Sequence, residues 1–99
     1  MSFGGLPVQG ACDVDVIATA VLGCRAVAGL DEGGTQVVAT YLPRRRVVGV
    51  RVEDDRVLVS VVLASGWSVR SLEEEVRRAL APHVEGRQVD VHVADVQTP

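Results

Sequence analysis

The residues that could bind a metal are two cysteines and two histidines. Eleven residues separate Cys12 from Cys24, and eight separate His83 from His92. Zinc sites usually place about two to four residues between paired ligands. His83 also falls at a predicted helix C-terminus, where an imidazolium interacts favourably with the helix dipole, and His92 falls on the outward side of a predicted strand. We therefore expect no metal site and no cofactor.

Nucleophilic and acid–base chemistry also lack the residues they need. Cys24 lies on a helix face that should be buried, where a thiol is inert, and no serine occupies a G-x-S-x-G elbow. The chain has no lysine, which excludes Schiff-base and P-loop chemistry. The carboxylates at 54–55 and 73–75 are explained by a turn and by a helix start. We expect a protein that is not an enzyme.

Composition sets the class of protein. The 99 residues suffice for one domain. Valine occurs 22 times, and its branching at Cβ favours sheet. A net charge of −3 argues against nucleic acid as the main partner. Two cysteines do not make a disulfide framework, which favours a cytoplasmic location, and the longest apolar run, 57–64, is too short to span a bilayer.

The first half of the chain predicts one helix and two strands. Asp13 is a good N-cap, and apolar residues at i, i+3, i+4 and i+7 from Val14 form one face of the helix that follows it. A short strand is predicted at 27–30 and a longer one at 35–41. Pro43 and the three arginines Arg44, Arg45 and Arg46 are predicted to form a basic loop.

The second half predicts a hairpin, a helix and a final strand. Valines alternate at 48–52 and again at 57–61, on either side of an Asp54-Asp55 turn. Ser71 with Glu74 predicts a capping box for the second helix, with Ser68 as the rival cap. Alternation resumes at 89–93, and the helix before it is a crossover long enough to make its flanking strands parallel neighbours.

These elements predict an α+β fold in the order α-β-β-β-α-β. Its sheet is mixed, mainly antiparallel and three- to four-stranded, with both helices on one face. We expect one domain at 13–96, a flexible arm at 1–12 and a short tail at 97–99. The strand at 57–63 is apolar on both faces, so it should be central in the sheet or covered by another subunit.

Six residues are candidates for contacts with partners. Leu58 and Val62 lie on the sheet face that the helices leave open. Arg44–Arg46 could dock an acidic protein or an anionic lipid, or could simply keep a sheet edge from pairing. Trp67 could anchor an interface or close the end of the core.

Three segments together carry a resemblance to a known family. They are VATYLP with RRVVGVRV at 38–52, LEEEVRRAL at 72–80 and VDVHVADV at 89–96. In this order they resemble the bacterial alkaline shock family, the Gls-type general stress or envelope stress response proteins, in an actinobacterial form. Two departures stand out: Arg44 follows Pro43 where relatives have Gly, and Arg25-Ala26 replaces Pro-Gly.

The resemblance implies a small, non-enzymatic cytoplasmic protein of the alkaline and cell-envelope stress response. It also implies self-association and recruitment to the membrane by an anchor protein. The family carries no established catalytic or ligand residues, so none is transferred. The alternative is a nucleic-acid-binding module, because the element order is loosely like that of a KH domain. No GxxG loop lies between helices to support that alternative.

Overall fold

The computed structural model describes residues 13–34 and 37–99. Within them the order is α1 (Val14–Leu22), β1 (Val27–Leu30), β2 (Ala39–Leu42), β3 (Arg45–Val48), β4 (Val50–Val52), β5 (Arg56–Leu63), α2 (Val69–Leu80), a 3-10 turn (Ala81–His83) and β6 (Gln88–Val96). The predicted α+β class is confirmed, and so is the order helix, strands, helix, strand, with five short strands between the two helices. The predicted arm at 1–12 lies outside the described residues.

Strand β5 is the centre of the main sheet. Along one edge, β5 pairs with two antiparallel strands, one after the other. Strand β4 lies opposite Val57–Val59, and β1 lies opposite Val61–Leu63. The other side pairs in parallel with β6 over its whole length. The predicted parallel pairing across the second helix is therefore confirmed, as is the central position of this strand.

The core lies between the sheet and both helices. Alternate valines of β5, at 57, 59 and 61, are completely buried, and so are Ile17 and Val21 of α1. The stripe Leu72, Val76 and Leu80 of α2 completes the same cluster. Both helices thus cover one face of the sheet, as predicted from their 3.6-residue periodicity.

Side-chain caps explain where the two helices begin. Asp13 Oδ1 accepts from the backbone N–H of Asp15 at 2.9 Å, which confirms the predicted cap of α1. The predicted capping box of α2 at Ser71 is wrong, because Ser68 Oγ accepts from Ser71 N at 3.1 Å and the helix begins at Val69. The carboxylates at 73–75 consequently lie past the first turn of the helix.

The region 35–53 differs most from the sequence prediction. Residues 35–36 of the predicted strand 35–41 lie outside the described residues, and the strand itself is Ala39–Leu42. The predicted basic loop is also wrong. Only Pro43 and Arg44 form a turn, while Arg45 and Arg46 begin β3 and pair with Leu42 and Tyr41.

The alternating run 48–52 is not one strand but parts of two. Gly49 separates β3, which pairs with β2 in a small second sheet, from β4, which pairs with β5. Gly49 has φ of +85°, and a Cβ there would lie 2.9 Å from both Leu30 Cβ and the Ser60 carbonyl oxygen. A left-handed glycine is therefore required where the chain leaves one sheet for the other.

Candidate interaction surfaces

The β2–β3 hairpin carries the three predicted arginines at its tip. Arg44 has φ of +71°, a conformation that costs a residue with a Cβ roughly 1–2 kcal/mol. Glycine adopts this backbone without that cost, so the geometry suits glycine better than the arginine present. No ion pair involves Arg44 among the described residues.

The other two arginines are held by carboxylates. Arg45 makes a bidentate contact with Asp15 of α1, at 3.0 and 2.6 Å, and this contact lowers the pKa of the Asp15 carboxyl. Arg46 pairs with Glu32, and its guanidinium carbon lies 6.0 Å from the centre of the Tyr41 ring. The three arginines therefore do not form one free basic patch. The sequence did not reveal these pairs, since their members are 30 and 14 positions apart.

Tyr41 is the most exposed aromatic residue on this hairpin. It leaves 71% of its surface exposed, while the neighbouring Ala39 is buried. Ala39 and Tyr41 lie on the same side of β2, yet only Ala39 is buried. Tyr41 and Arg44 thus expose an aromatic ring and a cation on this hairpin, while the charge of Arg46 is paired with Glu32.

Leu58 and Val62 lie on the sheet face away from the helices, as predicted. Both are half-buried, and Ser60 between them is completely buried. Leu58 is flanked by Arg51 on β4 and Asp90 on β6. Asp90 in turn pairs with Arg56 at 3.1 Å. This face is therefore a small apolar area within a charged surround.

Trp67 precedes α2 and is 39% exposed. It lines a surface pocket of about 320 Å³ together with Arg25, Arg78 and the carboxylates Glu74 and Glu75. Among the described residues no hydrogen bond or ion pair links this pocket to the hairpin tip. The predicted contact residues thus belong to three separate surfaces.

Glu75 has a structural role that the sequence did not show. Its two carboxylate oxygens accept from the backbone N–H groups of Arg25 and Ala26, each at 2.9 Å. These hydrogen bonds lower the pKa of the Glu75 carboxyl, most strongly that from Ala26. Glu75 thereby fastens the α1–β1 connection to α2.

The groups considered for chemistry lie apart from one another. Cys24 is buried, and burial raises the pKa of its thiol, which keeps it protonated and unreactive. Cys12 falls outside the described residues. In the ranges 13–34 and 37–99, no three His, Cys, Asp or Glu side chains come close enough to hold a metal ion. In the same ranges no helix is long and apolar enough to cross a membrane.

The outer edge of β6 is the surface that the sequence did not single out. Within the described chain β6 pairs with β5 alone. Gln88 N–H donates to Asp55 O at 3.0 Å, so it points towards β5. Backbone direction alternates along a strand. The N–H and C=O groups of Val89, Val91 and Val93 consequently point away from the sheet, at an open edge.

The chain was compared with protein-family models, with curated proteins and with solved structures, and it matches none of them. The resemblance to the alkaline shock family therefore rests on the three sequence segments quoted above. A proposal for the function must therefore be argued from the surfaces described above.

Proposed function

We propose that this chain is a non-enzymatic interaction module of the bacterial envelope and alkaline stress response. In this proposal it is cytoplasmic, associates with itself, and is brought to the inner face of the membrane by an anchor protein. The resemblance of residues 13–96 to the alkaline shock family supports this role.

The observation that carries the proposal is the open edge of β6. Nine residues long, this strand offers a row of outward-pointing backbone donors and acceptors. Monomeric proteins commonly block such an edge with a covering loop or helix, because it is a template for pairing with another chain. Val96 at its end is 55% exposed. An edge of this kind supports self-association.

The half-buried Leu58/Val62 face supplies a second contact. It lies on the opposite side of the sheet from the helices, so it can be used at the same time as the β6 edge. Two contacts in different directions let copies join into an assembly larger than a dimer.

The hairpin tip is the surface we assign to the anchor protein. Arg44 keeps a strained backbone at an exposed turn, and strain retained at a surface points to a role in binding. Arg44, which pairs with no carboxylate among the described residues, and the exposed Tyr41 lie on the same hairpin, and a cation with an aromatic ring suits an acidic polypeptide segment.

The test is cross-linking of the tagged protein in living cells of its source organism, with and without nuclease. We expect the protein itself and a membrane protein to be recovered in both cases. Arg44→Glu should lose the membrane protein but not the self-contact. Arg70→Glu is the matched control, since it reverses an exposed arginine on α2. Recovery of nucleic acid that nuclease removes would instead support the KH-like alternative.

A further inference from the structure

We propose that the open edge of β6 pairs antiparallel with the same edge of a second copy, with Val91 opposite the partner's Val91 on the two-fold axis. The inference rests on the proposed self-association and specifies which edge and which register it uses. The two sheets become one continuous sheet with all four helices on the same side.

The backbone limits the possible registers. The residues with outward N–H and C=O groups are Val89, Val91 and Val93, so an antiparallel partner must set odd-numbered residues opposite odd-numbered ones. The valines face the helix side, because they pair with Val57, Val59 and Val61 of β5. Asp90 and His92 face the other side. Three symmetric registers pair two or more of these valines with those of the partner, with the axis at Asp90, at Val91 or at His92.

Charge selects one of the three. An axis at Asp90 sets two carboxylates opposite each other, and like charges in direct opposition are unfavourable. An axis at Val91 sets Asp90 opposite the partner's His92 and, by symmetry, His92 opposite the partner's Asp90. These two positions form non-hydrogen-bonded pairs, in which side chains come closest. Asp90 then lies between its own Arg56, at 3.1 Å, and the partner's imidazole.

A bulge in β6 selects the same register. The pairing with β5 shifts between Val93 and Asp95, which leaves Ala94 as an extra residue. The regular stretch with outward-pointing groups is therefore 89–93, and its centre is Val91. An axis at His92 would bring the bulge into the paired segment and set two imidazoles against each other. With the axis at Val91, every helix-side pair is valine against valine.

A groove at the start of β6 completes the contact. It has a volume of about 470 Å³ and is lined by apolar Ala81, Val84 and Val89 together with Arg77 and Arg87. Val96 lies on the helix side, since it pairs with Leu63. In the Val91-centred register the far end of the partner strand reaches this groove. Val96 is exposed in the single chain. In the dimer each copy of Val96 is covered by the other copy's groove, one at each end of the interface.

The first test is disulfide cross-linking of single cysteine variants in a Cys12→Ser background, with the buried Cys24 left in place. Val91→Cys should form a covalent dimer, because opposite Cα atoms in a hydrogen-bonded pair lie about 5.5 Å apart, within disulfide range. Asp90→Cys and His92→Cys are matched controls. Their symmetry mates lie two residues out of register, about 8 Å apart, too far for a bridge.

The second test measures the dimer dissociation constant by analytical ultracentrifugation. His92→Asp sets carboxylates against each other at two positions and should weaken the dimer about tenfold or more. Val96→Thr should weaken it several-fold, whereas Val16→Thr, at another exposed valine on α1, should leave it unchanged. Far-UV circular dichroism and the unfolding midpoint show whether each variant keeps its fold.

The outcomes separate this inference from the proposed function. Cross-linking at position 91 alone supports the register, and cross-linking at 90 or 92 instead overturns it. An assembly that forms but cross-links at none of the three positions also overturns it, while self-association stands. A wild-type protein that stays monomeric at every concentration overturns both.

Discussion

Two single residues, Arg44 and Glu75, hold connections between elements in ways that regular secondary structure does not supply. Arg44 has a left-handed backbone at the hairpin tip, and Glu75 replaces the missing backbone partners of two amide groups with its own side chain. Neither residue lies in the core. Each nevertheless decides how a connection between elements is held.

Arg44→Gly should stabilise the fold by about 0.5–1 kcal/mol, because glycine adopts φ near +71° without the Cβ clash. Part of the gain is offset by the greater freedom of glycine in the unfolded chain. Urea denaturation measures the change. Arg44→Ala is the control, since it removes the charge but keeps the Cβ. An equal gain in both variants would show that charge, not backbone strain, is the cause.

Glu75 should make stability depend on pH in the acid range. The pKa of its carboxyl in the folded protein is lowered from the ordinary glutamate value of 4.5. The stabilisation is therefore fully present above that value and is lost as the pH falls through the lower folded-state pKa. Glu75→Gln should be less stable than wild type by about 1 kcal/mol at pH 7. Thermal unfolding from pH 7 to pH 3 should show this difference shrinking, and a constant difference would contradict the assignment.

At the scale of elements, the decisive feature is the division of the run 45–52 between two sheets. The alternation of valines at 48–52 predicts one strand, yet Gly49 turns the chain between β3 and β4. The two-stranded unit β2–β3 leaves the main sheet there and presents Arg44 and Tyr41. Thr40 Oγ1 donates to the Val50 carbonyl at 2.6 Å and ties the two units together.

Gly49→Ala should destabilise the protein by roughly 2–4 kcal/mol, because left-handed strain adds to a collision with Leu30 and the Ser60 backbone. Gly66→Ala is the matched control. Gly66 has nearly the same φ, +86°, but no atom within 4 Å of the added Cβ, so its cost should be about 1 kcal/mol. Equilibrium denaturation of both variants gives the comparison, and equal losses would mean that the close approach at Gly49 is unimportant.

At the scale of the whole molecule, the surfaces suited to contact point in different directions. The edge of β6 lies in the plane of the sheet, and the Leu58/Val62 face lies on the side of the sheet that the helices leave open. Arg44 lies at the tip of the β2–β3 hairpin, away from both. A scaffold needs such separation, because a partner at one surface must not block the next copy at another. In the assembly that we propose, the edge makes a dimer and the open face joins dimers.

The double variant Leu58→Thr with Val62→Thr should therefore lower the solution mass of the assembly to that of a dimer while the fold stays intact. Threonine keeps the β-branched shape that suits a strand but reduces the apolar area offered to a partner. Light scattering after size-exclusion chromatography measures the mass. An unchanged mass would exclude this face as a contact.

The sequence by itself determined the architecture. Period-3.6 and period-2 patterns located both helices and most of the strands that they cover, and the crossover was long enough to allow the parallel pair β5–β6. These features depend on residues close together in the chain, whose side chains must share one buried face.

Only the tertiary structure decided the surfaces. The pairs Arg45–Asp15 and Arg46–Glu32, the Glu75 contacts and the two-sheet division at Gly49 join or separate residues through folding, so no local pattern records them. The open edge of β6 was equally invisible, because a strand's pattern shows which of its faces is buried but not which of its two edges finds a partner. That choice follows from the order of strands around β5, and it is what leaves the valine row at 89–93 available to a second copy.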